Sequence, residues 1–154
     1  MKQLEVGDIA PDFKGIDHNG QIVRLADFRG NKLILFFYPK ANTPGCTAEA
    51  CSLRDHYQEL IDKGFKIIGV SADNIKNQSG FGNKYRLPFS LIPDTEKVII
   101  KNYGVWGPKK FMGRSFEGII RTTYVISEEG KIEKIFTKVN TGEHAEQILM
   151  EYKS

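Results

Sequence analysis

Two apolar runs, Leu33-Ile34-Leu35-Phe36-Phe37-Tyr38 and Lys66-Ile67-Ile68-Gly69-Val70-Ser71, constrain this chain more than any other feature. Each is rich in β-branched or aromatic residues and is followed by polar residues, the pattern of a buried central strand. Between them Ala50, Leu53, Tyr57, Leu60 and Ile61 recur at helical spacing, and Gly64 supplies a C-cap. Strand, helix and strand form a βαβ unit, which pairs its two strands in parallel.

The later segments extend that unit. Ile119 to Ile126 and Lys131 to Thr137 are strand-like runs separated by Glu128-Glu129-Gly130, which predicts a β-hairpin and an antiparallel addition to the sheet. Glu143 to Lys153 places Ala145, Ile148, Leu149 and Tyr152 on one helical face, so a helix is expected to cover the sheet there. Ile75 to Tyr85 and Lys97 to Tyr103 read as short helices flanking a strand from Phe89 to Ile92, although Gly80 and Gly82 weaken the first of them. The stretch from Gly104 to Gly118, which holds the sole Trp106, reads as a long unstructured loop, and loops of that length are often functional. The expected class is α/β, a mixed sheet between helices in three layers, with one domain spanning residues 3–154.

Composition narrows the function classes. A chain of 154 residues that is 40% hydrophobic fits one core. Its 22 basic and 19 acidic side chains are interspersed, and a net charge of +3 is too diffuse for a nucleic-acid surface. No run of about 18 apolar residues is present, and the start Met1-Lys2-Gln3-Leu4-Glu5 lacks the apolar region of a signal peptide, so a soluble cytoplasmic protein is expected. The two cysteines, Cys46 and Cys51, are too close in sequence to staple distant parts of a fold; redox chemistry, a metal or no chemistry at all are the choices that remain.

Local chemistry separates those choices. The segment from Tyr38 to Cys46 leads from the end of the first central strand into the helix, where open α/β sheets build their sites. Thr43 as N-cap and Pro44 at the first helical position put Cys46 third in the helix. Backbone N–H groups without helical partners and the positive end of the helix dipole favour a thiolate over a thiol at such a position. The competing reading is an inert, small apolar residue on the buried helix face. Strand end, cap, helix start and a second cysteine together favour the reactive one.

Pro39, Thr43 and Cys46 match the Pro-x-x-x-Thr-x-x-Cys signature, and on this the chain resembles the peroxiredoxins. The run from Phe37 to Tyr57, with Cys51 five residues after Cys46, together with Arg121-Thr122-Thr123-Tyr124-Val125-Ile126 and His144-Ala145, resembles the bacterioferritin comigratory protein or peroxiredoxin Q subgroup. The resemblance implies a thioredoxin-like fold and reduction of hydrogen peroxide and organic hydroperoxides with no prosthetic group and no metal. It further implies thioredoxin or a similar dithiol as electron donor and a monomer or weak homodimer. On the same basis Cys46 is the attacking thiolate, Cys51 the resolving thiol that closes an intramolecular disulfide, and Arg121 the site arginine. Thr43 then contributes its hydroxyl, and the Pro39 ring covers the sulfur. Each of the last three has a plainer reading: Arg121 as a solvent-facing strand residue, Thr43 as a cap, Pro39 as a strand terminator. Glu49, Arg54 and His56 read as solvated or capping surface.

Two rival functions fit less well. A protein disulfide oxidoreductase uses Cys-x-x-Cys, whereas four residues intervene here. A metal module built on Cys46, Cys51, His56 and His144 lacks the paired ligand spacing a zinc site needs. Helix geometry adds an expectation about motion. Residues five apart on an α-helix are rotated by about 140° and their Cα atoms lie about 8.6 Å apart. A disulfide needs about 7 Å or less, so the first turns from Thr43 to Leu53 are expected to unwind when it forms.

Overall fold

The computed structural model describes residues 4–152; Gln3, Lys153 and Ser154, at the bounds of the expected domain and helix, lie outside the described residues. The apolar runs are strands. β3 (Lys32–Phe37) pairs in parallel with β4 (Phe65–Ser71), and β4 in parallel with β5 (Ser90–Pro93). On the other side of β3, β8 (Thr122–Ile126) is antiparallel, followed by β9 (Ile132–Phe136), giving the order β5-β4-β3-β8-β9. The mixed sheet is the one the sequence predicts.

Period-two alternation along β3 divides the core. Leu33, Leu35 and Phe37 face one cluster with Phe13, Ile99, Ile100, Tyr103 and Tyr124, whereas Ile34, Phe36 and Tyr38 face another with Cys46, Ala50, Leu53, Leu60 and Phe81. The first layer carries β1 (Lys14–Ile16), β2 (Ile22–Arg24) and α4 (Val98–Asn102). The second carries α1 (Pro44–Asp55), α2 (Tyr57–Asp62), α3 (Ile75–Lys84) and α5 (His144–Met150). Burying a leucine such as Leu53 contributes about 1.5–3 kcal/mol, so each stripe far outweighs the weak helix propensity of its own short helix. Gly69 on β4 keeps the sheet tight: a Cβ there would stand 2.8 Å from the Phe36 ring and 2.9 Å from Leu91.

The structure departs from the sequence reading in three places. Gly104 to Gly118 is no loop: β6 (Trp106–Phe111) and β7 (Arg114–Ile119) form a two-stranded antiparallel hairpin outside the main sheet. Its turn, Met112-Gly113, has φ of 51° and 78°, as a type I′ turn requires at both central residues. The run from Ile119 to Ile126 is two strands in different sheets, with Ile120 and Arg121 between them. The long helix after Thr43 is broken at His56 into α1 and α2.

Candidate active site

Topology brings the site together. Because β8 runs antiparallel to β3, Thr122 at its start pairs with Phe37 at the end of β3. The residue just before β8 is Arg121, and α1 begins just after the loop that leaves β3. Residues 75 apart in sequence therefore meet: Arg121 Nη2 donates to Cys46 Sγ at 3.3 Å. Gly45 makes room for that approach, since a Cβ there would lie 3.2 Å from Arg121 Nη2. The other guanidinium nitrogen, Nη1, donates to Glu49 Oε1 at 2.6 Å.

The start of α1 has the expected geometry with one difference. Thr43 is extended at φ −88° and ψ 158°, Pro44 opens the helix, and Cys46 is third. The Thr43 side chain, however, does not cap; its hydroxyl donates to Lys40 O at 2.8 Å. The N–H of Cys46, which a capping threonine at this spacing would occupy, keeps no side-chain partner from Thr43. The loop from Pro39 to Thr43 is anchored from below. Asp73 accepts from Ala41 N–H at 2.7 Å and from the Ser71 hydroxyl at 2.6 Å. Gln78 joins the Ser71 oxygen to the hydroxyl of buried Tyr38.

Electrostatics are arranged around Arg121. Burial works against its charge, but the Cys46 sulfur and the Glu49 carboxylate outweigh burial and hold the guanidinium above its ordinary pKa. Lys109, from β6, donates to Ile119 O at 2.8 Å; its amine is pushed down by burial and by Arg121 while Cys46 acts the other way. Glu49 is fully buried, and burial pushes its carboxyl up to about 7 against the pull of Arg121. His144, equally buried at the start of α5, is pushed down to about 4, chiefly by burial.

Of the residues named from the sequence, Cys46 and Arg121 are in contact, and Pro39 and Thr43 flank the loop that presents Cys46. Cys51 is elsewhere. It lies on the same unbroken helix, half-buried beside a groove formed with Asn42, Thr47, Lys84 and Tyr85, and both thiols are free. Glu49 corrects the surface reading. Its position was visible in the spacing, because Cys46, Glu49, Ala50 and Leu53 share one helical face. Lys109 carried no such signal. Among the described residues no group of three or more His, Cys, Asp or Glu side chains is placed to hold a metal ion, and no helix is long and apolar enough to cross a membrane.

Known proteins carry the same arrangement of sequence and fold. The family model described as AhpC/TSA matches residues 6–135. Peroxiredoxin Bcp of Escherichia coli is 42% identical over 149 residues, covering 97% of this chain and 96% of the relative. Peroxiredoxin Bcp of Bacillus subtilis is 38% identical over 150 residues, with 97% and 96% covered. Among solved structures, a cysteine-to-serine variant of Xylella fastidiosa PrxQ superposes with a TM-score of 0.90 at 25% identity, covering 99% of this chain and 97% of that one. Xanthomonas campestris bacterioferritin comigratory protein, described for its alkyl peroxide reduction activity, gives 0.86 at 30% identity, with 96% and 94% covered.

Proposed function

The chain belongs to the AhpC/TSA family and is a peroxiredoxin, a thiol peroxidase, and from that premise we propose that Cys46 is its peroxide-reactive residue and Cys51 its resolving thiol. The observation that carries the assignment is the 3.3 Å hydrogen bond from Arg121 Nη2 to Cys46 Sγ at the first turn of α1. A thiolate held there attacks one peroxide oxygen, the O–O bond breaks, and Cys46 becomes a sulfenic acid while the departing hydroxide or alkoxide takes up a proton. Charge passes from sulfur to oxygen in that step. The Arg121 guanidinium and the Cys46 N–H are the donors available to stabilise it, the Thr43 hydroxyl joins them by turning from Lys40 O to the peroxide, and Pro39 limits water at the sulfur.

Cys51 then attacks the sulfenic sulfur, a disulfide forms and water leaves. A dithiol protein of the thioredoxin type returns both cysteines to thiols. The substrates proposed are hydrogen peroxide and organic hydroperoxides, the compartment the cytoplasm, where such donors keep thiols reduced, and the working form a monomer or weak homodimer. The test is consumption of peroxide by the purified protein with thioredoxin, thioredoxin reductase and NADPH. Turnover of many equivalents is expected; none with thioredoxin or any other dithiol would remove the reading.

A further inference from the structure

One buried atom near Cys46 has no hydrogen-bond partner: Glu49 Oε2. Across the pocket His144 Nε2 lies 3.5 Å away, and both side chains are fully excluded from solvent. The proton positions around it follow from the hydrogen bonds of α5. Gln147 Nε2 donates to Lys138 O at 2.8 Å, which fixes Oε1 as the acceptor end; that oxygen accepts from Asn140 N–H at 3.0 Å. His144 Nδ1, 3.0 Å from the same oxygen, is therefore the protonated ring nitrogen. In a neutral imidazole Nε2 then carries only a lone pair, which accepts the Thr123 hydroxyl at 2.8 Å.

Neither His144 Nε2 nor the Thr123 hydroxyl thus has a proton left for Oε2. An ionised Glu49 would leave Oε2 an anionic oxygen beside a nitrogen without a proton and a Thr123 hydroxyl whose proton is already given to that nitrogen, an arrangement the interior penalises. A proton on Oε2 removes the conflict. We propose that Glu49 is protonated on Oε2 in the reduced enzyme, and that this neutral carboxyl leaves the charge of Arg121 to the Cys46 thiolate. Glu49 is then a positioning residue acting through Arg121: while neutral it orients Nη1 by accepting at Oε1, and once ionised it competes with the thiolate for the same cation. His144 and Thr123 form the pocket that holds the proton. The direction of the Glu49 and His144 shifts, one up and one down, agrees with a neutral pair. The charged and titratable groups facing the pair are Cys46 on α1, Arg121 before β8 and, towards Arg121 and Cys46, Lys109 on β6.

The inference deepens the peroxidase reading and rests on it for its consequence, but the proton itself can be sought without turnover. Infrared spectra of the reduced protein at neutral pH should contain a protonated-acid carbonyl band that moves when glutamate, but not aspartate, is isotopically labelled. No glutamate acid band would overturn the proposal, whatever the enzyme's activity. In Glu49→Gln the amide mimics the neutral acid, so the band should vanish. The second-order rate of peroxide reduction should fall about tenfold between about pH 6 and about pH 9 in the wild type, and that alkaline decline should be absent from Glu49→Gln. Parallel pH profiles in the two proteins would reduce Glu49 to a structural partner of Arg121. If Glu49→Gln does not fold, the labelled wild type alone decides.

Discussion

Cys46 and Cys51 belong to the same helix, yet their surroundings are opposite. Cys46 is 1% exposed, receives a guanidinium hydrogen bond and is within the field of a second cation, Lys109. Cys51 is half-buried at a groove; burial pushes its thiol up, Arg54 opposes that and Asp55 adds to it. A rotation of about 140° between positions five apart is enough to turn one thiol into the pocket and the other out of it. The lesson is that cysteine identity decides little here. Angular position on one helix decides which thiol meets the Arg121 guanidinium and which lines the groove.

The contrast can be broken most directly by Cys46→Ser, which should abolish peroxide reduction because a hydroxyl neither ionises at neutral pH nor forms a sulfenic acid. Activity above about a tenth of wild type would transfer the role elsewhere. Arg121→Lys comes next. It keeps the charge but loses the planar fork that reaches both Cys46 and Glu49, so stopped-flow fluorescence of Trp106 should show a rate about a hundredfold lower.

A smaller effect belongs to stability. Glu49, raised from 4.5 to about 7, contributes stability that is complete below 4.5 and is lost as pH rises towards 7. His144, lowered from 6.5 to about 4, contributes stability that is complete above 6.5 and is lost as pH falls towards 4. The two slopes oppose each other in the overlap. Chemical denaturation of the reduced protein should therefore vary little across that window, whereas Glu49→Gln should expose the His144 slope alone, a gain of up to about 1.4 kcal/mol per pH unit on the way up. Smallest of all on the peroxide step is Cys51→Ser. Its first oxidation should stay within about threefold of wild type while turnover with thioredoxin stops, and dimedone should trap the accumulated sulfenic acid for mass spectrometry.

The same contrast explains what the sequence made visible. Runs such as Leu33 to Tyr38 announce themselves because both faces of a central strand are buried, so every position is apolar. The β6–β7 hairpin did not, since Arg114 to Glu117 on β7 are all exposed and β6 contains Gly107, Pro108 and two lysines. No apolar alternation marks it, and the turn uses Met112-Gly113 where asparagine or aspartate before glycine would have been a recognisable signal. At the site, Thr43, Pro44 and Cys46 were legible as a helix start because capping chemistry is local. Glu49 shared that helical face by spacing, yet its burial was not legible, because a glutamate on a helix ordinarily faces water and its partner Arg121 comes from a distant segment.

The break at His56 has a mechanical consequence. With φ −106° and ψ 15°, His56 closes α1 and opens α2, and its ring is tied to Glu146 on α5 at 3.1 Å. Helical cooperativity runs only as far as the hydrogen-bond ladder is continuous. If closing the Cys46–Cys51 bond peels α1 open, the tear reaches a seam after Asp55 and stops, with Leu60 still buried under α2. Hydrogen exchange should map this rip-stop: on oxidation the amides of Thr47 to Arg54 should lose protection while those of Glu59 to Asp62 keep it. Equal loss in both stretches would mean that the seam does not hold. On that proposal α1 is spent in each catalytic cycle and refolds from an edge, α2, that never leaves the body of the protein.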